Sequence, residues 1–340
     1  MTNTERYFVV ITTINRPSSC TIQLAARLKI NGIPIVVVGD RKGPTEYGLD
    51  GSTFFNVQDQ MQLPYAISRM LPLSHYSRKN LGYLEAIRQG AECIYETDDD
   101  NAPLHSWRIR DQAAPCVVAP PKKWFNVYEV FSSEKIWPRG FPLEHIQRSS
   151  ICWRPSNGPL VEKDAPIQQG IANLSPDVDS IWRFIFDKVI VFDDLPSIYL
   201  EPGTWCPFNS QSTWWWKDAF HLLYLPSGCT FRMTDIWRSF VAQRCLWAMG
   251  KGVVFHAAEV EQKRNPHSPH DDFRLEVPGF SKNQEITDIL SNIDLPPGPQ
   301  SNREAMVICY KALIKAGIFP KEEMALVNAW LKDIVSLVNL

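Results

Sequence analysis

Three consecutive carboxylates, Asp98-Asp99-Asp100, follow the short apolar run Glu92 to Glu96. Like charges this close cost folding energy unless a cation or several donors offset them. In an extended segment Asp98 and Asp100 point the same way. Two hard oxygen donors on one side suit Mg2+ or Mn2+ that also binds phosphate oxygens; a solvated acidic turn is the plainer alternative. Arg78-Lys79-Asn80 opens a helical segment, where two cations and a helix N-terminus favour an anionic diphosphate, unless they form only a solvated basic turn. Asp40 ends a second apolar run, where nucleotide-binding sheets place a carboxylate for ribose or base hydroxyls, although Gly39-Asp40 also suits a simple turn.

The elements that must position these groups are legible. Tyr7 to Ile11 and Ile33 to Val38 read as buried strands, with a helix over Cys20 to Asn31 between them, capped by Ser18 or Ser19 and stopped by Gly32. Strand, helix and strand in this span form a βαβ unit and predict a parallel sheet. Phe54 to Val57 suits a third strand, and Ser77 to Gly90 an amphipathic helix with Leu81, Leu84 and Ile87 on one stripe. The first hundred residues therefore read as doubly wound, with ligands expected beyond the carboxyl ends of the strands. Prolines punctuate the chain from Pro115 to Pro166. Thr234 to Gly250 reads as a helix, Val253 to Phe255 as a strand leading to His256, and Ser301 to Leu340 as a helical tail after Pro296 to Pro299.

Composition narrows the classes. The 340 residues carry 35 Lys+Arg against 37 Asp+Glu, a net charge of −2, which argues against a general nucleic-acid binder. The eight cysteines show no C-x-x-C spacing, so reduced, buried thiols are expected. There is no signal-like start and no apolar stretch long enough to span a bilayer, so a cytoplasmic protein is expected. Neither G-x-G-x-x-G nor G-x-x-x-x-G-K-[ST] occurs, which argues against nicotinamide, flavin and P-loop chemistry.

A βαβ lobe with an Asp-x-Asp exit and no Gly-rich loop looks like a GT-A type glycosyltransferase. Leu71-Pro72, Tyr76, Arg78-Lys79-Asn80, Gly82-Tyr83-Leu84, Ala86-Ile87, Gly90-Ala91 and the Asp cluster resemble the STELLO glycosyltransferase-like family, as does Arg232 to Arg238 with Gln243-Arg244 and Leu246-Trp247. A more distant likeness is to the reversibly glycosylated polypeptides, which are UDP-arabinopyranose mutases. It rests on the Asp cluster, Cys206-Pro207-Phe208-Asn209, the Arg-x-x-Asp-x-Trp helix start and a later strand ending in His.

This resemblance implies Mn2+ or Mg2+ held by Asp98 and Asp100, with Asp98 and Asp99 beside a UDP-sugar. It lays base and ribose along Thr12, Asn15, Arg16 and Asp40, with Arg78, Lys79 and Asn209 near the nucleotide. His256 becomes a metal or diphosphate ligand, and Gln262-Lys263-Arg264-Asn265, with His267 and His270, a basic flap over the phosphates. Asp235, in the first turn of its helix, is the candidate catalytic carboxylate. It would deprotonate the acceptor in an inverting enzyme or orient the sugar in a retaining one. Trp205, Trp214, Trp215, Trp216 and Trp237 could form a sugar-stacking wall or simply fill a core.

The expected fold is α/β, a GT-A type doubly wound and mostly parallel sheet with helices on both faces. Residues 1–110 form the nucleotide-sugar lobe, 111–280 the acceptor side and 281–340 a helical extension. The function expected is metal-dependent transfer from a nucleotide sugar to a carbohydrate or other acceptor. A UDP-sugar mutase and a non-catalytic scaffold are the alternatives.

Overall fold

Seven residues with a β-branched, apolar centre, Tyr7–Thr13, make the buried strand β1. Ser18 accepts a hydrogen bond from the Thr21 amide and so caps helix α1 (Ser19–Lys29). The chain returns through β2 (Ile35–Gly39) and β3 (Ser52–Phe55). An Asn56–Asp59 capping box starts α2 (Val57–Gln62). A 3-10 turn, Tyr76–Arg78, leads into α3 (Lys79–Arg88), and β4 (Cys93–Thr97) completes the lobe. Pairing is parallel throughout, in the order β3-β2-β1-β4, so the loops after β1, β2 and β4 gather at one edge. These coordinates are a computed structural model, which describes residues 6–147, 153–155, 158–263, 268–298 and 302–338.

Beyond β4 the elements are β5 (Asn101–Pro103), β6 (Ala113–Val118), α4 (Val127–Val130), α5 (Leu143–Ile146), β7 (Val161–Asp164), β8 (Ile167–Asn173), α6 (Ser180–Ile185), β9 (Ile198–Leu200) and β10 (Ser212–Trp216). The chain then passes through α7 (Thr234–Ala248) and β11 (Val253–Gln262) to α8 (Pro269–Ser291), α9 (Asn302–Lys315) and α10 (Glu323–Val338). One sheet of 11 strands runs β3-β2-β1-β4-β10-β8-β11-β9-β6-β7, with β5 on β11. Because β10 enters antiparallel to β4, Ser212 lies opposite Thr97, at the edge where the acidic run begins. The sheet is mixed: all its pairings are parallel in the first lobe, while beyond β4 the pairings are of both kinds.

The amphipathic stripe expected on α3 is not one-sided. Every residue from Lys79 to Ile87 is buried, because α3 packs on β1 and β2 and is covered by α10. A Cβ on Gly82 would stand 2.6 Å from Val10 Cγ1 and 2.9 Å from Val38 Cγ2, so glycine sets the helix–sheet distance. The five tryptophans read as either a sugar wall or core are each 2% exposed or less. The indole N–H groups of Trp205, Trp214, Trp215 and Trp237 find interior partners, such as Glu96 for Trp215 at 2.8 Å and Asn283 for Trp237 at 2.9 Å. They are core, not a sugar wall.

The expected boundary at 280/281 falls inside α8, which runs unbroken through Pro278. The helices beyond it close the first lobe: the Asp333 carboxylate accepts from the Ala66 and Ile67 amides at 2.9 and 3.0 Å. Seven described cysteines are free thiols, the nearest pair being Cys245 and Cys309 at 3.9 Å; Cys152 lies outside the described residues. No described helix is long and apolar enough to cross a membrane.

Candidate functional site

The loops after β1, β2 and β4 meet the start of α7 around a cavity of about 630 Å³, within the usual range for small-molecule sites. Thr12, Asn15, Asp40, Asp98, Asp99, Asp100 and Asp235 all line it, so most sequence candidates converge. Thr12 Oγ1 donates to Val38 O at 3.1 Å, tying the two strand ends together.

The three aspartates do not form an extended segment. Asp99 and Asp100 form a turn, and each of the three carboxylates takes a different set of donors. Asp98 accepts from Tyr76 Oη at 2.7 Å and Lys79 Nζ at 3.2 Å, although burial still raises its pKa. Asp99 accepts from Thr13 Oγ1 at 2.5 Å and Asn15 Nδ2 at 3.0 Å. Asp100 Oδ2 accepts from Gln262 Nε2 at 3.0 Å, while Oδ1 is buried with no partner among the described residues. Burial, then the charges of Asp98 and Asp99, push the Asp100 carboxyl up to about 7.

Several candidates take other places. Arg78 is fully buried beneath the cleft, its Nε donating to Gln60 Oε1 at 2.5 Å and its Nη1 to Leu71 O at 3.1 Å, so it braces the lobe instead of facing a nucleotide. Lys79 stays in play, with Nζ on Tyr76, on Thr97 O at 2.8 Å and on Asp98. Asp40 lines the cleft, but its carboxylate is filled by the amides of Arg41, Ser74 and His75 at 2.7, 2.9 and 3.0 Å. It therefore shapes the Ser74–His75 bend, where Ser74 adopts φ 55. Arg16 is exposed next to the lining residues.

His256 is not with the acidic cluster. It lies inside β11, six residues before Gln262, which is about 20 Å of extended chain. Its Nδ1 meets Ser197 Oγ at 2.7 Å and its Nε2 meets Gln168 Oε1 at 2.9 Å. Burial and the nearby Arg110 and Arg108 hold it well below the ordinary imidazole pKa. The expected strand simply continued past it. Asn209 is buried behind the cleft, paired with Gln169. Lys263 is exposed and pairs with Glu261 at 3.3 Å; Arg264 and His267 lie outside the described residues.

Asp235 faces the cleft as a saturated anion. Arg139 donates to both of its oxygens at 3.0 Å, Ser210 N and Oγ reach Oδ2 at 3.3 Å, and the Ile236 amide reaches Oδ1 at 3.0 Å. Burial alone would raise its pKa, but the Arg139 charge and hydrogen bonds outweigh burial and hold it below the ordinary carboxylate value. A carboxylate so held orients groups well and accepts protons poorly.

Sequence reasoning gave no site role to Tyr76, Arg139, Ser210, Phe231 and Arg232, all of which line the cleft; Gln262, read only as part of a flap over the phosphates, lines it too. Tyr76 Oη bridges Asp98 and Ser210 Oγ, the latter at 2.5 Å. One local signal did exist for Arg139. It sits in Pro138-Arg139-Gly140, and Gly140 has φ 91 with a Cβ position only 2.4 Å from Ile236.

These features define an α/β protein with an acidic, partly basic-walled cleft at the carboxyl edge of a parallel lobe. A family model described as STELLO glycosyltransferases matches residues 232–339. The chain is 27% identical to "Probable glycosyltransferase STELLO1" of Arabidopsis thaliana over 98% of its own length, and equally to "Probable glycosyltransferase STELLO2". The chain is thus similar to the STELLO glycosyltransferases, by the family model over its C-terminal third and by these relatives over nearly its whole length. It spans 45% of the length of each of these relatives. A crystal structure of a mycobacterial protein aligns over 94% of this chain and 76% of its own at 8% identity, with a TM-score of 0.38, too loose to bear on the fold.

Proposed function

We propose that the chain is a metal-dependent glycosyltransferase that uses a nucleoside diphosphate sugar, UDP-linked, as donor. The observation that carries this reading is Asp100: a buried, unpartnered carboxylate oxygen beside Asp98, with the carboxyl pushed up to about 7. Its charge asks for a cation. Among the described residues no three His, Cys, Asp or Glu side chains are grouped to hold a metal alone. A hard cation held by two carboxylates, water and substrate phosphates needs no such cage, so Asp98 and Asp100 fit Mg2+ or Mn2+. When bound, the ion would neutralise diphosphate charge on the leaving group.

The sheet order suggests how the chain's own residues divide the donor. Base and ribose fall to the β1–β2 edge near Thr12, Asn15 and Asp40, the diphosphate to the β4 exit near Lys79, and the sugar to the side of Ser210 and Asp235. Asp235, kept anionic by Arg139, would orient sugar hydroxyls and favour positive charge at the anomeric carbon. That saturation also favours a second reading, a UDP-sugar mutase, because recapturing the same sugar needs no base for an outside hydroxyl.

The test is turnover with Mn2+ and UDP-sugars, with products resolved. Acceptor-dependent UDP release supports transfer, and a new ring isomer supports the mutase. Asp98→Ala or Asp100→Ala should abolish either activity while the fold survives; full turnover in both variants would refute the metal assignment.

A further inference from the structure

Phe231 lines the cleft and yet stays 48% exposed, in a protein whose tryptophans are packed away. The turn that carries it is clamped. Thr230 Oγ1 donates to Leu275 O at 2.5 Å, Arg232 Nε donates to Glu276 Oε1 at 2.9 Å, and Arg139 Nη1 holds Arg232 O. Met233 fills the space over Gly279, and upstream the Gly228 amide donates to Glu323 at 2.7 Å. The ring therefore cannot fold inward without breaking several bonds, and it forgoes the burial an apolar side chain ordinarily gains unless a ligand covers it.

Its neighbours fix what it would cover. Tyr76 meets it edge-on, with ring centroids 5.4 Å apart and planes at 72°, and Tyr76 Oη donates to Asp98. Phe231 thus stands beside the acidic cluster, and Tyr76 Oη also meets Ser210, whose hydroxyl reaches Asp235 on the same cleft wall. A nucleotide laid along the strand order reaches this corner with the group beyond its second phosphate. Pyranose and furanose rings present C–H faces that pack on an aromatic face.

We propose that Phe231 is the stacking platform for the glycosyl ring of the donor and a residue that determines sugar specificity; this rests on the nucleotide-sugar reading above. Sugars with a flat C–H face on that side bind, and those with an axial substituent there are disfavoured.

The experiment compares UDP with UDP-glucose, UDP-galactose and UDP-xylose, each with Mn2+, by calorimetric titration of the full chain. In Phe231→Ala, affinity for the best wild-type UDP-sugar should fall roughly three- to tenfold while affinity for UDP is unchanged. Phe231→Trp should retain sugar affinity, and its preference among the three sugars should shift. Equal losses for UDP and UDP-sugar, or no loss at all, overturn the proposal while leaving the donor reading standing. A wild-type protein that binds none of the four ligands overturns both.

Discussion

The Arg139 guanidinium closes on both oxygens of Asp235, Nη1 to Oδ1 and Nη2 to Oδ2, each at 3.0 Å. The same group donates twice to Asp177 at 2.7 Å and once to Arg232 O, so all five of its N–H donors are used. One buried cation thus compensates two buried carboxylates and anchors the start of α7. Arg139→Met should cost about 3–5 kcal/mol in urea denaturation, because it leaves buried charges unpaired. Adding Asp177→Asn and Asp235→Asn to that background should recover part of the loss. A single-variant cost under about 1 kcal/mol would contradict the linchpin role.

Asp100 is predicted to trade stability for binding. Its carboxyl is raised to about 7, so the folded state holds the proton more tightly than the unfolded chain does. The contribution of this group is thus intact at low pH and is lost as pH rises through about 7. At pH 8, in EDTA, Asp100→Asn should be more stable than wild type by on the order of 1–2 kcal/mol. It should also lose any stabilisation by Mn2+ with UDP. A less stable variant in EDTA would mean that the charge is already compensated.

Gly82→Ala separates helix propensity from packing. Alanine favours the helix by roughly 1 kcal/mol, but its Cβ would meet Val10 and Val38 at 2.6 and 2.9 Å. Overpacking of this kind costs about 1–3 kcal/mol, so a net loss is expected, with partial rescue by Val10→Ala. Thermal melts of the two single variants and the double variant decide it.

His221 sets a pH dependence of the opposite sign to that of Asp100. Burial, with the Arg303 charge acting in the same direction, depresses the imidazole to about 4. The unfolded chain therefore takes up a proton first as pH falls, and stability drops from about pH 6.5 downward until the folded group titrates near 4. In denaturation at pH 7.5 and pH 5, the stability of wild type relative to His221→Gln should decrease by about 2 kcal/mol at the lower pH. A flat difference would show that the folded protein takes up the proton as readily as the unfolded chain. The Trp330 indole donates to His221 O at 2.8 Å, so the acid effect should loosen the contact with α10.

Local pattern made the first lobe legible. Strand periodicity, the Ser18 cap, Gly32 and Gly90 each act over a few residues, and β1, α1, β2, α3 and β4 appear close to where the sequence predicts them. The acidic exit after β4 and the carboxylate of Asp235 were visible for the same reason, since charge runs and helix starts are local features. The directions of the side chains were not. Arg78 and Lys79 are adjacent, yet one braces Gln60 beneath the cleft and the other reaches Asp98. His256 and Gln262 share a strand, yet only Gln262 reaches the acidic turn. Arg139, Ser210 and Phe231 come from segments without strong periodicity, and contacts across 96 residues such as Arg139 to Asp235 leave no trace in local spacing. The sequence by itself determined which charges had to be compensated. The tertiary structure decided which partner compensates each one, because burial and hydrogen-bond direction depend on how distant segments pack.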